Sequence, residues 1–392
     1  MRKTIQRDAI VLFLFCGLYY VGQASYGPYL NAYFSEAGAG AFQLGILSAV
    51  GAVAGLVFQP IWALLSDRTG LRRTVVFLLA AGAGVAMLIF RHVVGFIGFL
   101  LCVILFHLFL DAIIPMSDSI IAGAAQRRSI DFSWIRLTGT LAYAAVVYLF
   151  GILIAGRWDR MFHVSVACFA LLAVCAALLP REEAAQASAE TQPARAQESK
   201  PDYETLAFLM LCTLGAYTIN NLAYGYVGVY VLQLGGSQAH IGTANMISSL
   251  SEVPILLLGR RLYRRYGVRL MYAALLASAT RLLLFSTGSI PAIYAGQSLQ
   301  GVCYMVAYYC QVMYLNEHAP NGRRARWFAM FGMLQTGFNV LLGSLLGGLV
   351  IARIGIARTY RLYALIGYAS GALLFAVRML RVVRIPAENS KR

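Results

Sequence analysis

The chain has 392 residues, of which 60% are hydrophobic and only 12% are charged. Soluble proteins carry about 25% charged residues, so this composition excludes an ordinary soluble domain and indicates a protein of the lipid bilayer. The formal net charge of +16 is also typical of nucleic-acid-binding proteins, but the placement of the basic residues described below excludes that class.

Twelve mostly apolar runs are long enough to span a membrane, since a spanning helix needs about 20 such residues. They lie at 9–33, 42–66, 73–90, 94–122, 134–156, 162–180, 205–233, 240–259, 268–287, 291–317, 327–351 and 358–382. The short alternating segments of a membrane β-barrel are not seen in the sequence. The sequence therefore predicts an all-α polytopic membrane protein with 12 transmembrane helices.

The basic residues are distributed unevenly between the two sides of this arrangement. The two ends of the chain and the loops that follow even-numbered runs hold 24 of the 32 Lys and Arg residues, while the opposite loops hold six. An excess of basic residues marks the cytoplasmic side, so we expect both termini in the cytoplasm and the chain in the plasma or inner membrane. The expected partner of the basic surface is the bilayer, and no nucleic acid is expected.

Motifs of enzymatic chemistry are missing from the sequence. The seven Cys residues all lie in apolar runs without metal-ligand spacing, which favours buried free thiols. There is no Walker loop, HExxH or CxxC motif. We therefore expect no enzyme, no cofactor and no metal site.

A polar stretch at 181–204 divides the chain into two halves of six runs each, at 1–180 and 205–392. Its composition is typical of a flexible cytoplasmic linker. The halves also match at an offset of 197 residues: Gly45 with Gly242, Arg68 with Arg265, Gly70 with Gly267 and Arg72 with Arg269. Equal halves with such matches favour parallel repeats, the arrangement of major facilitator transporters.

The loop between runs 2 and 3 is short and highly charged. Its residues are Asp67, Arg68, Gly70, Arg72 and Arg73. Glycine permits a tight turn, and Asp67 can pair with a neighbouring arginine. We interpret the loop as a gating element; the alternative is a plain basic cytoplasmic loop.

Polar side chains recur at helical spacing in seven of the runs and face a cavity or a neighbouring helix. They are Tyr19, Gln23 and Tyr26 in run 1; His107, Asp111 and Asp118 in run 4; Arg136, Thr140 and Tyr143 in run 5; Tyr217, Asn220, Asn221 and Tyr224 in run 7; Asn245, Ser248, Ser249 and Glu252 in run 8; Gln297, Gln300, Tyr304, Tyr308 and Gln311 in run 10; and Gln335, Thr336 and Asn339 in run 11. Seven stripes together predict a polar centre.

Two carboxylate–arginine pairs follow from residue counting. Asp118 and Arg136 lie nine residues either side of Arg127, so antiparallel helices bring them to one depth. Glu252 and Arg281 are placed similarly around the turn between runs 8 and 9. Each pair either contacts a substrate or merely joins two helices, and paired charges are far less costly in a membrane than isolated ones.

Two stretches resemble the lactose-permease branch of the major facilitator superfamily, the oligosaccharide–proton symporters. They are LVFQPIWALLSDRTGLRR and PMSDSIIAGAAQRRSIDFSWIRLTGTLAY. The resemblance implies that Asp118 and Arg136 bind substrate hydroxyls and that Tyr143 stacks on a sugar ring.

The chain departs from that branch at its proton-coupling positions. Gln300 and Cys303 stand where the permease has a His and a Glu, and an acid–lysine pairing between helices 7 and 11 is replaced by neutral residues. If protons are coupled, we therefore expect Glu252, with Arg281, to be the leading site, and Asp118 or Asp111 to come after it. Asp111, beside His107, is otherwise structural.

These observations predict a monomeric secondary transporter that imports a polar, hydroxyl-rich small molecule such as a sugar, glycoside or nucleoside, coupled to protons by alternating access. A proton-driven efflux antiporter for drugs or metabolites is the alternative, and a membrane sensor is a third class. The predicted substrate-binding residues are Asp118, Arg136, Tyr143, Gln23, Tyr26, Asn220, Asn221, Tyr224, Gln300, Tyr304 and Asn339.

Overall fold

The computed structural model describes residues 2–127, 132–179, 203–319 and 324–389, and within these ranges the chain is helical and has no strand. The α-helices are α1 (Arg2–Tyr26), α2 (Leu30–Glu36), α3 (Ala41–Thr69), α4 (Arg72–Phe90), α5 (Phe96–Arg127), α6 (Phe132–Ile154), α7 (Trp158–Leu178), α8 (Tyr203–Gln233), α9 (Gln238–Tyr266), α10 (Leu270–Phe285), α11 (Ile290–Gln297), α12 (Ala307–His318), α13 (Arg324–Met333), α14 (Leu346–Ile354) and α15 (Ile356–Asn389).

The helices follow the apolar runs because a backbone in lipid must satisfy its own hydrogen bonds. In the described part of the chain, nine helical stretches are long and apolar enough to cross a membrane. One of them, Gln238–Phe285, covers two of the predicted runs. The predicted runs 291–317 and 327–351 are instead divided into shorter helices by π-helical segments at Gly301–Val306, Leu334–Phe338 and Leu341–Leu345.

The described residues form two compact units. The first unit contains the residues up to 179 together with 224–250, and in it α1 packs on α6 and α7, and α4 on α5 and α7. Helix α3 also packs on α5. Small residues permit the close helix contacts: an ideal Cβ at Gly139 of α6 would lie 2.2 Å from the ring of Tyr20 on α1.

The second unit contains residues 203–223 and 251–389. Here α10 packs on α15 and α11, and the π-helical segment Gly301–Val306 packs on α10. The segment Leu341–Leu345 approaches α8 so closely that an ideal Cβ at Gly343 would lie 2.5 Å from the Thr218 carbonyl oxygen. Such contacts hold the polar residues of several helices side by side.

The hairpin 224–250 is formed by the end of α8 and the start of α9, and it packs inside the first unit. The Tyr226 hydroxyl donates to the Ala41 carbonyl (2.9 Å), and the Asn31 amide donates to the Gly225 carbonyl (2.9 Å). The predicted linker at 181–204 falls mostly outside the described residues, so the predicted division at that point stays a prediction.

Candidate functional site

A buried arginine organises the polar residues of the second unit. Arg281 on α10 is 2% exposed. Its Nη1 donates to the Asn220 Oδ1 on α8 (2.7 Å) and to the Gln300 Oε1, and its Nη2 donates to the Gln297 Oε1. We call these four residues the arginine cluster. The guanidinium also lies over the ring of Phe285, at 5.4 Å from the ring centroid.

Gln300 connects this cluster to Glu252. Its side chain hydrogen-bonds the Glu252 carboxylate on α9. The contact depends on Gly301, where an ideal Cβ would lie 2.0 Å from the Ser251 carbonyl oxygen and 3.1 Å from the Glu252 Cα. The Gly301 N–H also donates to the Ser251 Oγ at 2.9 Å. A glycine at this position therefore brings Gln300 within reach of the carboxylate.

The predicted pairing of Glu252 with Arg281 is bridged by a third side chain. Within the described residues Arg281 forms no ion pair within 4.0 Å, and Gln300 lies between the two charges. The reason is chemical: a primary amide accepts through its oxygen and donates through its nitrogen, so it fits between a guanidinium and a carboxylate. Helical counting placed both charges near one depth but could not show the inserted side chain.

A second hydrogen-bonded chain lies in the same unit. The Gln335 amide donates to the Gln311 Oε1 and to the Tyr217 hydroxyl (3.3 Å), and Gln311 donates to the Thr213 Oγ1 at 2.9 Å. Tyr217 packs edge-to-face on Tyr304, with ring centroids 5.2 Å apart. Gln335 is one of the neutral residues, with Asn220, Asn221 and Thr336, that stand where the resemblance would place an acid and a lysine.

The three predicted asparagines have different surroundings. Asn220 is half-buried and belongs to the arginine cluster. Asn221 donates its amide to the Tyr217 carbonyl of its own helix (3.2 Å). Asn339 is fully buried, between two π-helical segments. Of the three, Asn220 is the one held against a charged group.

The first unit contains an acid–histidine pair on α5. The His107 Nδ1 and Asp111 Oδ2 are 2.8 Å apart, and both side chains are about a third exposed or less. Glycines of α3 lie against them: ideal Cβ atoms at Gly51 and Gly55 would lie 2.6 Å from the His107 Nε2 and 2.0 Å from the Asp111 Oδ2. The two glycines thus provide the surface on which this pair rests.

Tyr26 on α1 lies near several other predicted polar residues of the first unit. Tyr26 is 5% exposed, packs edge-to-face on Phe106 (5.1 Å between centroids), and lies within electrostatic range of Asp111, Tyr143 and Tyr224. Three other predicted residues, Asp111, Tyr143 and Tyr224, are therefore in the neighbourhood of Tyr26. Gln23, one turn before Tyr26 on α1, is half-buried.

The predicted pair of Asp118 and Arg136 is only partly described. Asp118 is half-buried near the C-terminal end of α5. The side chain of Arg136 lies outside the described residues, so the pairing remains a prediction.

The charged loop after α3 has the geometry of a tight helix end. Gly70 adopts a φ of 66°, and its N–H donates to the Ser66 carbonyl at 2.9 Å. Its counterpart Gly267 adopts a φ of 56°, and both angles lie in the region that favours glycine. Asp67 forms an exposed ion pair with Arg72 at 3.4 Å.

Sequence reasoning missed several contacts. The Trp62 indole donates to the Leu108 carbonyl at 2.7 Å, and the Tyr29 hydroxyl donates to the Val147 carbonyl at 2.5 Å. The spacing of Gly51 and Gly55, four residues apart on an apolar helix, is a signal of close helix packing that was available in the sequence. The backbone acceptors had no such signal. In the described ranges no group of His, Cys, Asp or Glu could hold a metal ion.

Comparisons with known proteins cover nearly the whole chain. The model of the MFS_1 like family matches residues 9–362. An uncharacterized transporter, YwbF, of Bacillus subtilis (strain 168) is 23% identical over 359 residues, covering 90% of this chain and 89% of its own. The maltose permease of Geobacillus stearothermophilus is 26% identical over 345 residues, covering 86% of each chain.

Solved structures agree on the fold. A point mutant of the nucleoside transporter NupG superposes with a TM-score of 0.80 at 16% identity, covering 94% of this chain and 98% of its own. A POT family transporter in complex with 5-aminolevulinic acid superposes with a TM-score of 0.71 at 11% identity, covering 94% of this chain and 96% of its own. At these identities the likeness concerns the fold alone.

Proposed function

Because the chain belongs to the MFS_1 like family of the major facilitator superfamily, we propose that this membrane transporter imports a polar, hydroxyl-rich small molecule by proton-coupled alternating access. The matched relatives and structures are membrane transporters and not enzymes. Candidate substrates are sugars, glycosides and nucleosides. The relative named maltose permease supports testing a sugar first.

The observation that carries the proposal is the polar network of the second unit. It comprises the Glu252 carboxylate and the Arg281 guanidinium, which are bridged by Gln300, and in the same unit a second hydrogen-bonded chain of neutral amides and Tyr217. Neutral donors and acceptors at close spacing suit hydroxyl groups, whereas a lipophilic cation is better matched by apolar walls around a lone acid. The network therefore supports a hydroxylated substrate over a lipophilic drug.

The same proposal assigns the remaining roles. The 12 predicted helices form two six-helix halves, at 1–180 and 205–392, with both termini in the cytoplasm and one chain as the working unit in the cell membrane. Asp118, Arg136 and Tyr143 bind the substrate from the first half. Glu252 carries the proton, with Asp118 or Asp111 as the next candidate, and the loop from Asp67 to Arg73 takes part in gating.

The first test is uptake into proteoliposomes under an imposed inward proton gradient. The probes are radiolabelled maltose and uridine. Asp118→Asn should abolish accumulation, because it removes a proposed partner of substrate hydroxyls. Asp159→Asn is the matched control, since Asp159 is an exposed residue paired with Arg91 at 3.4 Å and should leave uptake unchanged.

Glu252→Gln separates binding from coupling. Because a neutral amide cannot carry a proton, this variant should still exchange labelled for unlabelled probe but should lose accumulation driven by the gradient. Undiminished accumulation would remove Glu252 from the coupling role. No uptake of either probe, together with expulsion of a lipophilic dye from whole cells, would favour the efflux antiporter.

A further inference from the structure

The orientation of the amides around Arg281 is set by hydrogen-bond chemistry. A guanidinium carries donors only, whereas a primary amide has an acceptor oxygen at one end and a donor NH₂ at the other. An amide that contacts Arg281 must therefore turn its oxygen toward the guanidinium. Asn220, Gln297 and Gln300 all do so.

This orientation determines what each amide presents on its opposite side. For Gln300 the NH₂ group meets the Glu252 carboxylate. Asn220 and Gln300 accept from the same nitrogen, Nη1, so one atom of Arg281 orients both. The NH₂ of Asn220 is then directed away from the guanidinium, and Asn220 is half-buried while Gln297 is 1% exposed.

The burial of Arg281 makes this orientation persistent. At 2% exposed, its guanidinium cannot exchange these amide oxygens for bulk water without leaving donors unsatisfied. Hydrogen bonds from a charged donor are also about twice as strong as neutral ones. Turning the Asn220 amide by 180° would place its NH₂ group against the guanidinium. Two groups that only donate would then face each other, so this orientation is unfavourable.

We infer that Arg281 is a positioning residue for substrate selection: it holds the Asn220 amide so that its NH₂ faces the substrate, which must then offer an acceptor oxygen. Arg281 itself is too buried to touch the substrate. The inference rests on the proposed function, since it requires that Asn220 contact the transported molecule. The neighbouring Asn221 is not equivalent, because its amide is bonded to the Tyr217 carbonyl.

The test compares two matched substitutions of an amide by the isosteric carboxylate. Asn220→Asp and Gln297→Glu each place a carboxylate oxygen against Arg281, so each keeps a partner for the guanidinium. Only Asn220→Asp replaces an NH₂ that faces the substrate by an acceptor oxygen. A site built to donate to a substrate oxygen rejects a mismatched partner strongly.

Uptake of radiolabelled maltose and uridine into proteoliposomes is measured for both variants over a range of concentrations. We expect Asn220→Asp to raise KM by about 10-fold or more with a smaller change in maximal rate, and Gln297→Glu to keep KM within about threefold. Arg281→Lys, which supplies one ammonium in place of a planar fork, should also raise KM. Melting temperatures in detergent show whether each variant is folded.

Different results overturn different statements. An equal rise in KM in both carboxylate variants would mean that the effect comes from neutralising the charge of Arg281 and not from losing the Asn220 donor, and it would overturn the inference. An unchanged KM in Asn220→Asp would overturn it as well. If Asn220→Asp is not recovered folded, Asn220→Ala removes the same donor and must show the same rise. Absence of wild-type uptake for both probes would instead defeat the proposed function, and the inference with it.

Discussion

Gly301 is the position where a single methyl group should have the largest effect on the polar network. An ideal Cβ there would lie 2.0 Å from the Ser251 carbonyl oxygen, and real Cβ contacts below 3.0 Å are essentially never seen. In Gly301→Ala the segment Gly301–Val306 and helix α9 must therefore separate by at least about 1 Å. The obstructing atom belongs to the backbone of α9, so no side-chain rotation relieves the clash.

The consequences follow from this displacement. The hydrogen bond from the Gly301 N–H to the Ser251 Oγ is 2.9 Å long, and a further 1 Å takes it out of hydrogen-bonding range. Overpacking of this kind costs about 1–3 kcal/mol, which exceeds the roughly 0.5–1 kcal/mol that alanine gains over glycine in a helix. Gln300, the preceding residue, moves away from Glu252 at the same time.

The assay combines thermal unfolding in detergent with proton-driven uptake. Gly301→Ala should lower the apparent Tm by several degrees and reduce accumulation of the transported probe. Gly17→Ala is the control, because an ideal Cβ at Gly17 would meet only the Ala142 Cβ at 4.0 Å. If the two variants share the same Tm and the same uptake, the reasoning from the Gly301 contact is wrong.

Two further predictions concern the first unit. Tyr29 is fully buried and donates to the Val147 carbonyl. That carbonyl lies inside α6 and keeps its helical N–H donor, so Tyr29→Phe removes one buried hydrogen bond and should cost about 0.5–1.5 kcal/mol; a Tm equal to that of the wild type would contradict this. The Asp67–Arg72 pair is exposed, so Asp67→Asn should change stability by less than about 1 kcal/mol. If the loop gates transport, the same variant should slow uptake several-fold at an unchanged Tm, whereas a plain basic loop predicts no change in either.

The helical membrane character and the transporter family follow from local properties of the chain. Hydropathy and the segregation of basic residues depend only on composition along the sequence. Helical periodicity also identified the polar faces. The predicted pair Glu252 and Arg281 lies together with Asn220 and Gln300, which were predicted on two other runs. The likeness to the maltose permease covers 86% of the chain, in line with a resemblance first carried by two short stretches.

Pairings within those faces could not be predicted in the same way. The spacing of His107 and Asp111 by four residues places them together on any helix, but their contact with Gly51 and Gly55 depends on how closely α3 approaches α5. The bridge that Gln300 forms between Glu252 and Arg281 was not predicted, because the depth of two helices says nothing of a side chain from a third segment.

Sequence alone therefore determined that the protein lies in a lipid bilayer, that it is helical, and which chemical types of residue the helices bring to its interior. Tertiary structure decided which amide faces which charge, and it assigned residues 224–250 to the first unit although they continue α8 and α9. The physical reason is that hydropathy is summed over about 20 residues, while a hydrogen bond is made or lost within about 1 Å. That distance is controlled by contacts between segments far apart in the chain, such as Gly301 with Ser251.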